Sequence, residues 1–387
     1  MSEWKEVRLG DICEIFAGGD APKGRISKTK TEQYNIPIYS NGITEEGLYG
    51  YTDKAKVYVP ATTITARGTI GVVFKRKVPY FPIVRLISLI GDKNIINSDF
   101  LYYSLRNTYI SGEGSVQAQL TVPMISNYIV TIPSLTTQHR IASILSSLDD
   151  KIAVNRRICE NLEAQAQALF KHWFIDFAPF KDGKFVESEL GMIPEGWKVG
   201  KLSDLGDIIC GKTPSKANKL YYGGNVPFIK IPDMHGNMFV INSEDNLSNE
   251  GSNSQLNKLI PEFSIMVSCI ATVGLVSMNT KPSHTNQQIN TIVPYVPSYR
   301  YYIYENLKLR EKELLLLGSS GTTTYNVNTK TFSSLKILMP DLKVIEDFDK
   351  SIKYHFEETL NLYQENLRLS TLRDTLLPKL MSGQIKV

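Results

Sequence analysis

The sequence predicts an α+β protein built from two similar globular units of mixed α/β content, each followed by a long helix. Two patterns predict this fold: a repeat that runs through both halves of the chain, and an apolar heptad pattern near its middle. The chain of 387 residues is long enough for two or three domains, each with its own core. With 42% hydrophobic and 21% charged residues, it has the composition of an ordinary soluble globular protein.

The internal repeat begins near the start of each unit. Trp4-Lys5 and Trp197-Lys198 open similar segments, and at the same offset Gly18 matches Gly211. Three further pairs of segments, each with an apolar run that predicts a strand, follow in the same order: IPIYSNGI (36–43) with VPFIKIPDM (226–234), TARGTIGVV (65–73) with SCIATVGLV (268–276), and YIVTIPS (128–134) with SLKILMPD (334–341). We therefore predict a first globular domain at 1–133, a long helix at 134–180, a second globular domain at 181–340 and a second long helix at 341–387.

The first long helix carries a seam of apolar residues at alternating steps of four and three. Ser134, which follows Pro133, is the expected N-cap. One polar residue, Asn155, interrupts the seam, and a lone Asn at such a position often fixes the register of paired helices. The residues expected to pair this helix with another are Ile141, Leu145, Leu148, Ile152, Asn155, Leu162 and Leu169. The alternative is an amphipathic helix that packs only on its own domain.

The second long helix is apolar over a wider arc. One face carries Leu362, Leu369 and Leu376, which are expected to pair with the first helix, and another carries Ile352, Phe356 and Leu360. Two apolar faces predict two partners, namely the first helix and another protein.

The sequence offers no catalytic constellation and no metal site. Its five histidines have no metal-ligand spacing, no G-x-S-x-G motif is present, and its four scattered cysteines are expected to be reduced core residues. The N-terminus is charged, and no apolar run approaches the roughly 20 residues of a membrane span, so we expect a cytoplasmic protein without membrane contact. The net charge of +4 is compatible with local nucleic-acid-binding patches but is weak evidence for them.

One stretch, GDIICGKTPSK (206–216), matches the phosphate-loop pattern G-x-x-x-x-G-K-[ST]. Two adjacent isoleucines in the variable part are typical of a strand and not of an open loop, and Pro214 disfavours the helix that must follow. The matching segment of the first unit has no Gly-Lys-Thr. We interpret the stretch as a strand that ends in a tight turn, with Lys212 and Lys216 exposed.

Several passages at the helix borders resemble the specificity subunits of type I restriction-modification systems. Both units open with W-K-x-x-x-L-x-D, and four longer passages also match: PSLTTQHRIA (133–142), FKHWFIDF (170–177), GMIPEGWK (191–198) and LLPKLMSGQI (376–385). These passages cover both helices and both unit starts, whereas the globular interiors match only in outline.

The resemblance implies that each unit is a target recognition domain reading one half of a split site in double-stranded DNA. It also implies that the two helices pair as an antiparallel coiled coil on which modification subunits dock, two of them in the family. These partners methylate adenine with S-adenosylmethionine, and an ATP- and Mg-dependent restriction subunit can join them, so this chain itself would need no cofactor and would not be an enzyme. A helix of about 40 residues spans roughly 60 Å and can hold two readers about 10 base pairs apart.

Candidate DNA-binding residues are the Arg, Lys, Asn, Gln and other polar side chains in the predicted loops, because these types bind base edges and phosphates. In the first unit they are Lys23, Arg25, Tyr39, Asn41, Arg67, Gln117 and Gln119. In the second unit they are Lys212, Lys216, Lys230, His235, Asn237, Gln287, Gln288, Thr323 and Asn326. For each residue taken alone, a solvated loop side chain is an equally good interpretation.

Three other functions stay open at this point. A duplicated coiled-coil scaffold that does not bind DNA explains the repeat and the heptads, but not the passages at the helix borders. A nucleotide hydrolase would use Lys212. A specificity region cut from a fused methyltransferase-endonuclease would differ only in its gene context.

Overall fold

The computed structural model describes residues 4–112, 118–319 and 326–387, and it divides into two compact units. The first unit comprises the chain up to Ala153 together with Leu367–Val387, and the second comprises Val154–Asn366. The boundary falls inside each of two helices of 40 residues, Leu135–Phe174 and Leu342–Met381. Each unit therefore contains part of both long helices.

The globular part of the first unit is mixed in strand and helix. Its elements are β1 (Lys5–Arg8), α1 (Leu9–Ile12), β2 (Cys13–Ala17), β3 (Ile36–Tyr39), β4 (Leu48–Thr52), β5 (Ala61–Ile64), β6 (Val73–Arg76), β7 (Phe81–Pro82), β8 (Ile87–Gly91), α2 (Ser98–Arg106), α3 (Val122–Ser126) and β9 (Ile129–Ile132), followed by α4 (Leu135–Phe174). The strands form an antiparallel sheet in the order β2-β8-β5-β6, a small mixed sheet β4-β3-β7, and the antiparallel pair β1-β9.

The second unit repeats this plan after a hairpin of β10 (Phe185–Ser188) and β11 (Gly191–Pro194). Its elements are β12 (Lys198–Lys201), β13 (Gly206–Cys210), β14 (Tyr222–Ile229), α5 (Ile231–Met234), β15 (Phe239–Val240), β16 (Asp245–Leu247), α6 (Asn249–Asn253), β17 (Ile265–Ser268), β18 (Val276–Asn279), β19 (His284–Thr285), β20 (Ile289–Pro294), α7 (Tyr299–Leu309), α8 (Glu311–Gly318), α9 (Thr329–Ser333), β21 (Lys336–Met339) and α10 (Leu342–Met381). The sheets are β13-β20-β17-β18-β15, β16-β14-β19 and β12-β21. The same three sheets recur, with one added edge strand, which confirms the predicted fold class.

Both cores use the long helices as well as the globular elements. In the first unit, Leu145 of α4 and Leu377 and Leu380 of α10 are buried in one cluster with Leu89 and Phe100. In the second unit, the end of α4 contributes Phe170 and Phe174 to an aromatic cluster that also contains Tyr302 and Phe348. The FKHWFIDF passage is thus part of a hydrophobic core.

Within each unit, the segments of α4 and α10 run antiparallel. In the second unit, Asn155 Nδ2 donates to Glu365 Oε2 at 2.6 Å and to Asn366 Oδ1 at 2.9 Å. In the same unit, Cys159 Sγ lies 4.0 Å from Thr359 O. In the first unit, Arg373 Nη1 contacts Asp149 Oδ1 at 2.6 Å, and Leu145 lies in one core cluster with Leu377 and Leu380. Residue numbers on α10 therefore rise as those on α4 fall.

The residues predicted for helix pairing differ in how deeply they are buried. Ile141, Leu145, Ile152, Asn155, Leu162 and Leu362 are buried, whereas Leu148, Leu169, Leu369 and Leu376 are half-buried. Beside Leu376, the structure buries Leu377 and Leu380, which belong to the core of the first unit.

The first long helix is shorter than the predicted range of 134–180. Ser134 is its N-cap, as predicted, since its Oγ accepts a hydrogen bond from Thr137 N at 3.4 Å. The α-helix ends at Phe174, and Phe177 adopts a left-handed conformation with φ of 50°. Pro179 lies in the short 3-10 turn Ala178–Phe180 that follows, and its ring cannot continue an α-helix.

All four cysteines lie in the described ranges, and none forms a disulfide. Cys159 and Cys269 are buried and the other two are half-buried. Among the described residues, no helix is both long and apolar enough to cross a membrane.

Candidate nucleic-acid interface

The phosphate-loop stretch forms an edge strand and not a phosphate cradle. Residues Gly206–Cys210 make up β13, which pairs antiparallel with β20, so the predicted strand is confirmed. Between Gly211 and Ile231 the chain forms no α-helix, and its only helical element there is a 3-10 turn at Lys219–Tyr221. The backbone of this stretch is therefore committed to a sheet, where its amides do not converge on an anion.

Close backbone packing explains the glycines of the stretch without a nucleotide. A Cβ at Gly211 would collide with Asn286 O and with Thr285 Oγ1. At the matching position of the first unit, a Cβ at Gly18 would lie 2.7 Å from Ile83 N. Glycine is therefore needed at the end of β2 and of β13, where the backbone passes close to residue Ile83 and to residues Thr285 and Asn286, respectively.

The first unit brings three loops together at this turn. The N–H of Gly18 donates to Leu86 O at 2.8 Å, and the N–H of Arg85 donates back to Gly18 O at 2.9 Å. We call residues 18–23, 65–70, 83–86 and Gln119 the first loop cluster. Its loops surround a cleft of about 490 Å³ lined by residues 17–21, Arg67, Val84 and Arg85.

Two exposed arginines dominate the first loop cluster. Arg67 Nη2 donates to Gln119 Oε1 at 3.0 Å, so these two predicted residues are in contact. Arg85 is exposed on the opposite loop, next to Val84, and both have left-handed φ angles of 62° and 51°. A β-branched residue in this conformation is rare and requires support from the surrounding structure.

The second unit assembles the same loops with different side chains. Gly211 N donates to Ile289 O at 3.1 Å and Lys212 N donates to Thr285 O at 2.9 Å. We call residues 211–216, 269–272, 285–288 and Asn326 the second loop cluster. Here Thr213 Oγ1 donates to Gln287 Oε1 at 2.6 Å, and Asn286 Nδ2 donates to Gln288 Oε1 at 2.9 Å. Polar uncharged side chains occupy the positions that Val84 and Arg85 hold in the first unit.

Several other predicted DNA-binding residues also make close contacts within the protein. Arg25 forms a bidentate ion pair with Asp53, and this hydrogen bonding lowers the pKa of the Asp53 carboxyl. Lys230 lies 2.6 Å from Asp245, and the hydrogen bond raises the lysine pKa. The ring of Tyr39 is covered by the guanidinium of Arg76 at 3.6 Å. The amide of Asn41 bonds to the backbone of two loops of the first cluster.

Some of the remaining predicted residues lie in the two loop clusters and others do not. Lys23, Lys212, Lys216 and Gln287 are exposed within the clusters, and Asn326 joins the second through a bridge with Ile270. His235 and Asn237 precede β15, whereas the second loop cluster follows β13, and these strands are opposite edges of one sheet. The structure therefore does not bring His235 and Asn237 into the cluster. Gln117 and Thr323 lie outside the described residues.

Arg85 is the clearest candidate that the sequence reasoning missed. The structure aligns FPIVRLISLI (81–90) with HTNQQINTIV (284–293), because β7 and β19 are equivalent, as are β8 and β20. In this alignment Val84 matches Gln287 and Arg85 matches Gln288. Applying the internal repeat to these two segments would have identified Arg85, since both glutamines were already candidates.

The described residues of these loops contain no candidate metal centre. Within residues 4–112, 118–319 and 326–387, no group of three or more His, Cys, Asp or Glu is placed to hold a metal ion. The exposed chemistry of the clusters includes guanidinium, ammonium, amide and hydroxyl groups, which bind anions and base edges, together with one carboxylate, that of Asp20.

Comparisons with known proteins relate both units to one family. The sequence model of a family described as type I restriction modification DNA specificity domain matches residues 1–164 and 194–360. The type I restriction enzyme HindI specificity subunit of Haemophilus influenzae is 43% identical, with all of both chains covered. The MjaIX specificity subunit of Methanocaldococcus jannaschii is 27% identical over all of this chain and 94% of that protein.

A solved structure matches the fold at low sequence identity. The crystal structure of the S subunit of a type I restriction-modification system from M. genitalium has a TM-score of 0.64 and 16% identity, and the match covers 98% of this chain and 96% of that one. Two units followed by long helices are therefore an arrangement that this chain shares with a known structure.

Proposed function

The chain belongs to the type I restriction-modification DNA specificity family and is a specificity subunit of that kind, and we propose that it reads a split, asymmetric sequence in double-stranded DNA. Each unit reads one half of the site through its loop cluster. The observation that carries this proposal is the duplicated cluster, in which the same loops present different side chains. The two half-sites therefore differ in sequence, and the base pairs between them are not read.

The side chains of the clusters support this division of labour. The guanidinium of Arg85 in the first unit can donate two hydrogen bonds to one guanine or phosphate. Gln288, at the matching position of the second unit, carries an amide suited to adenine. Arg67 is likewise matched by Ile270, which has no polar group. Identical units would read the two halves of a palindrome, and these differences favour an asymmetric site.

Catalysis belongs to partner subunits in this proposal. Modification subunits, two of them by the family pattern, dock on the helices and methylate adenine with S-adenosylmethionine, and a restriction subunit using ATP and Mg can join them. Exposed apolar residues on both helices support docking there: Val154 and Ile158 on α4, and Leu367 and Leu372 on α10.

The decisive experiment is to co-express the chain with its candidate modification subunit in a methylation-free host and to map methylated adenines across the genome. We expect one motif of two short, different half-sites with an unread spacer of fixed length. Exchange of residues 190–340 for the matching segment of a related subunit should change one half-site only. A stable complex that methylates no motif would contradict the proposal and favour a scaffold that does not bind DNA.

Substitution of the cluster arginines gives a second prediction. Arg67→Ala and Arg85→Ala should each weaken binding to the mapped site by about 1–3 kcal/mol if the arginine contacts a base edge, or reduce the salt slope by about one if it contacts a phosphate. The measurement is the dissociation constant of a labelled duplex at several salt concentrations. The matched control is Arg25→Ala, because Arg25 is also exposed in the first unit but is paired with Asp53. Equal losses in all three variants would refute the assignment of the loop cluster.

A further inference from the structure

Asn41 lies between two loops of the first cluster and bonds to both. Its Nδ2 donates to Val84 O at 2.5 Å, and its Oδ1 accepts from Ala66 N at 2.7 Å. The two contacted residues immediately precede Arg67 and Arg85. One side-chain amide therefore connects the backbones that carry the two exposed arginines.

The two bonds of Asn41 stabilise the backbone in different ways. Ala66 is fully buried, and a buried N–H without a partner destabilises a fold substantially. Val84 and Arg85 have left-handed φ angles, which persist only where neighbouring contacts hold them. The amide of Asn41 provides one of these contacts at the carbonyl of Val84.

The second unit joins the same loops without a side chain between them. Cys269, which matches Ala66, donates its N–H directly to the carbonyl of Gln288, which matches Arg85, at 2.8 Å. The residue that matches Asn41 in the repeat is Ile231, which is buried and apolar. A direct backbone bond in one unit thus corresponds to an inserted amide in the other.

We infer that Asn41 is a positioning residue, whose amide acts as a spacer between the Arg67 loop and the Arg85 loop and so sets the width of the first cleft. Each of its polar atoms already bonds to the protein backbone, so we assign it to holding the loops and not to reading a base. This inference rests on the proposed function, since the loops it positions are those assigned to DNA. It predicts that loss of the amide affects reading of the first half-site and leaves the second intact.

The test combines a readout that needs no DNA with one that does. In Asn41→Leu, hydrogen exchange of the Ala66 amide should accelerate at least about tenfold, because its acceptor is removed. In Asn41→Asp the acceptor remains, so Ala66 should stay protected while segment 83–86 exchanges faster. The control is Asn35→Leu, an exposed asparagine whose amide bonds only locally, to Glu32 O.

The methylation map of the co-expressed complex supplies the second readout. Asn41→Leu should accept about tenfold more mismatched first half-sites than the wild type, whereas selectivity at the second half-site and in Asn35→Leu should not change. Faster exchange with unchanged selectivity, equal loss at both half-sites, or no change in exchange would each overturn the inference. A wild-type complex that methylates no motif would overturn the proposed function itself, and with it the positioning role, while the exchange data would still report whether the spacer exists.

Discussion

Replacement of Phe174 by alanine is expected to lower the free energy of unfolding of the second unit by about 3–5 kcal/mol. Phe174 is 4% exposed, and its ring centroid lies 4.8 Å from those of Tyr302 and Phe348 and 5.9 Å from that of Trp197. Alanine would leave a cavity where three elements of the second unit meet: the end of α4, α7 and the start of α10. Few single changes remove so many aromatic contacts at once.

Denaturant unfolding monitored by tryptophan fluorescence would measure this effect, since two of the three tryptophans, Trp173 and Trp197, lie in the second unit. The control is Ile175→Ala. This variant also removes an apolar side chain, at the adjacent position, but Ile175 is 53% exposed. That variant should change stability by less than about 0.5 kcal/mol. Similar losses in both variants, or a loss under about 1 kcal/mol in Phe174→Ala, would show that the aromatic cluster does not stabilise the unit as described.

Stability of the second unit should decrease as the pH rises from about 5 to about 8, and Glu305→Gln should remove this dependence. Glu305 lies in α7 and is fully buried, and neither carboxyl oxygen has a hydrogen-bond partner among the described residues. Burial is the main cause that raises the pKa of Glu305 to about 8, the charge of Glu163 adds to it, and Lys308 opposes it. The folded state thus keeps a proton that the unfolded chain releases near pH 4.5.

The sign of this effect follows from proton linkage. Between the unfolded and folded pKa values the native state binds more protons, so the stabilisation present at acidic pH is lost as the pH rises, by at most roughly 5 kcal/mol for the whole interval. Unfolding free energies of wild type and Glu305→Gln at pH 5, 6.5 and 8 would measure it. Glu313→Gln is the control, because a hydrogen bond from Arg310 lowers the pKa of Glu313, so this carboxyl stays ionised over the whole interval and its loss should leave the pH dependence unchanged. The same pH dependence in wild type and in Glu305→Gln would mean that Glu305 is not protonated in the fold.

The fold could be predicted because it depends on sequence patterns, namely an internal repeat and the spacing of apolar residues. The repeat gave two units, and the spacing of Ile141, Leu145 and Ile152 gave a helix with one buried face, as observed. The strand at Gly206–Cys210 followed from adjacent isoleucines despite the phosphate-loop pattern. These features depend on local periodicity and on composition, which a sequence displays directly.

The candidate site was harder to predict because the availability of a side chain depends on distant partners. Arg25 and Asp53 are 28 positions apart, and the sequence around either residue does not predict their ion pair. The same holds for Tyr39 and Arg76. Tyr39 lies in β3 and Arg76 in β6, three strands later in the chain, yet the guanidinium of Arg76 covers the ring of Tyr39. Residue type alone placed Arg25 and Tyr39 among the predicted DNA-binding residues, and the structure shows that both already have partners within the protein.

The way the two units divide the chain has a consequence for the order in which they can be completed during translation. The second unit is one continuous segment, Val154–Asn366, whereas the first includes Leu377 and Leu380, which leave the ribosome after every residue of the second. The first unit therefore cannot complete its core until the chain has been synthesised past every residue of the second unit. Until Leu377 and Leu380 are added, the apolar residues that pack against them stay uncovered.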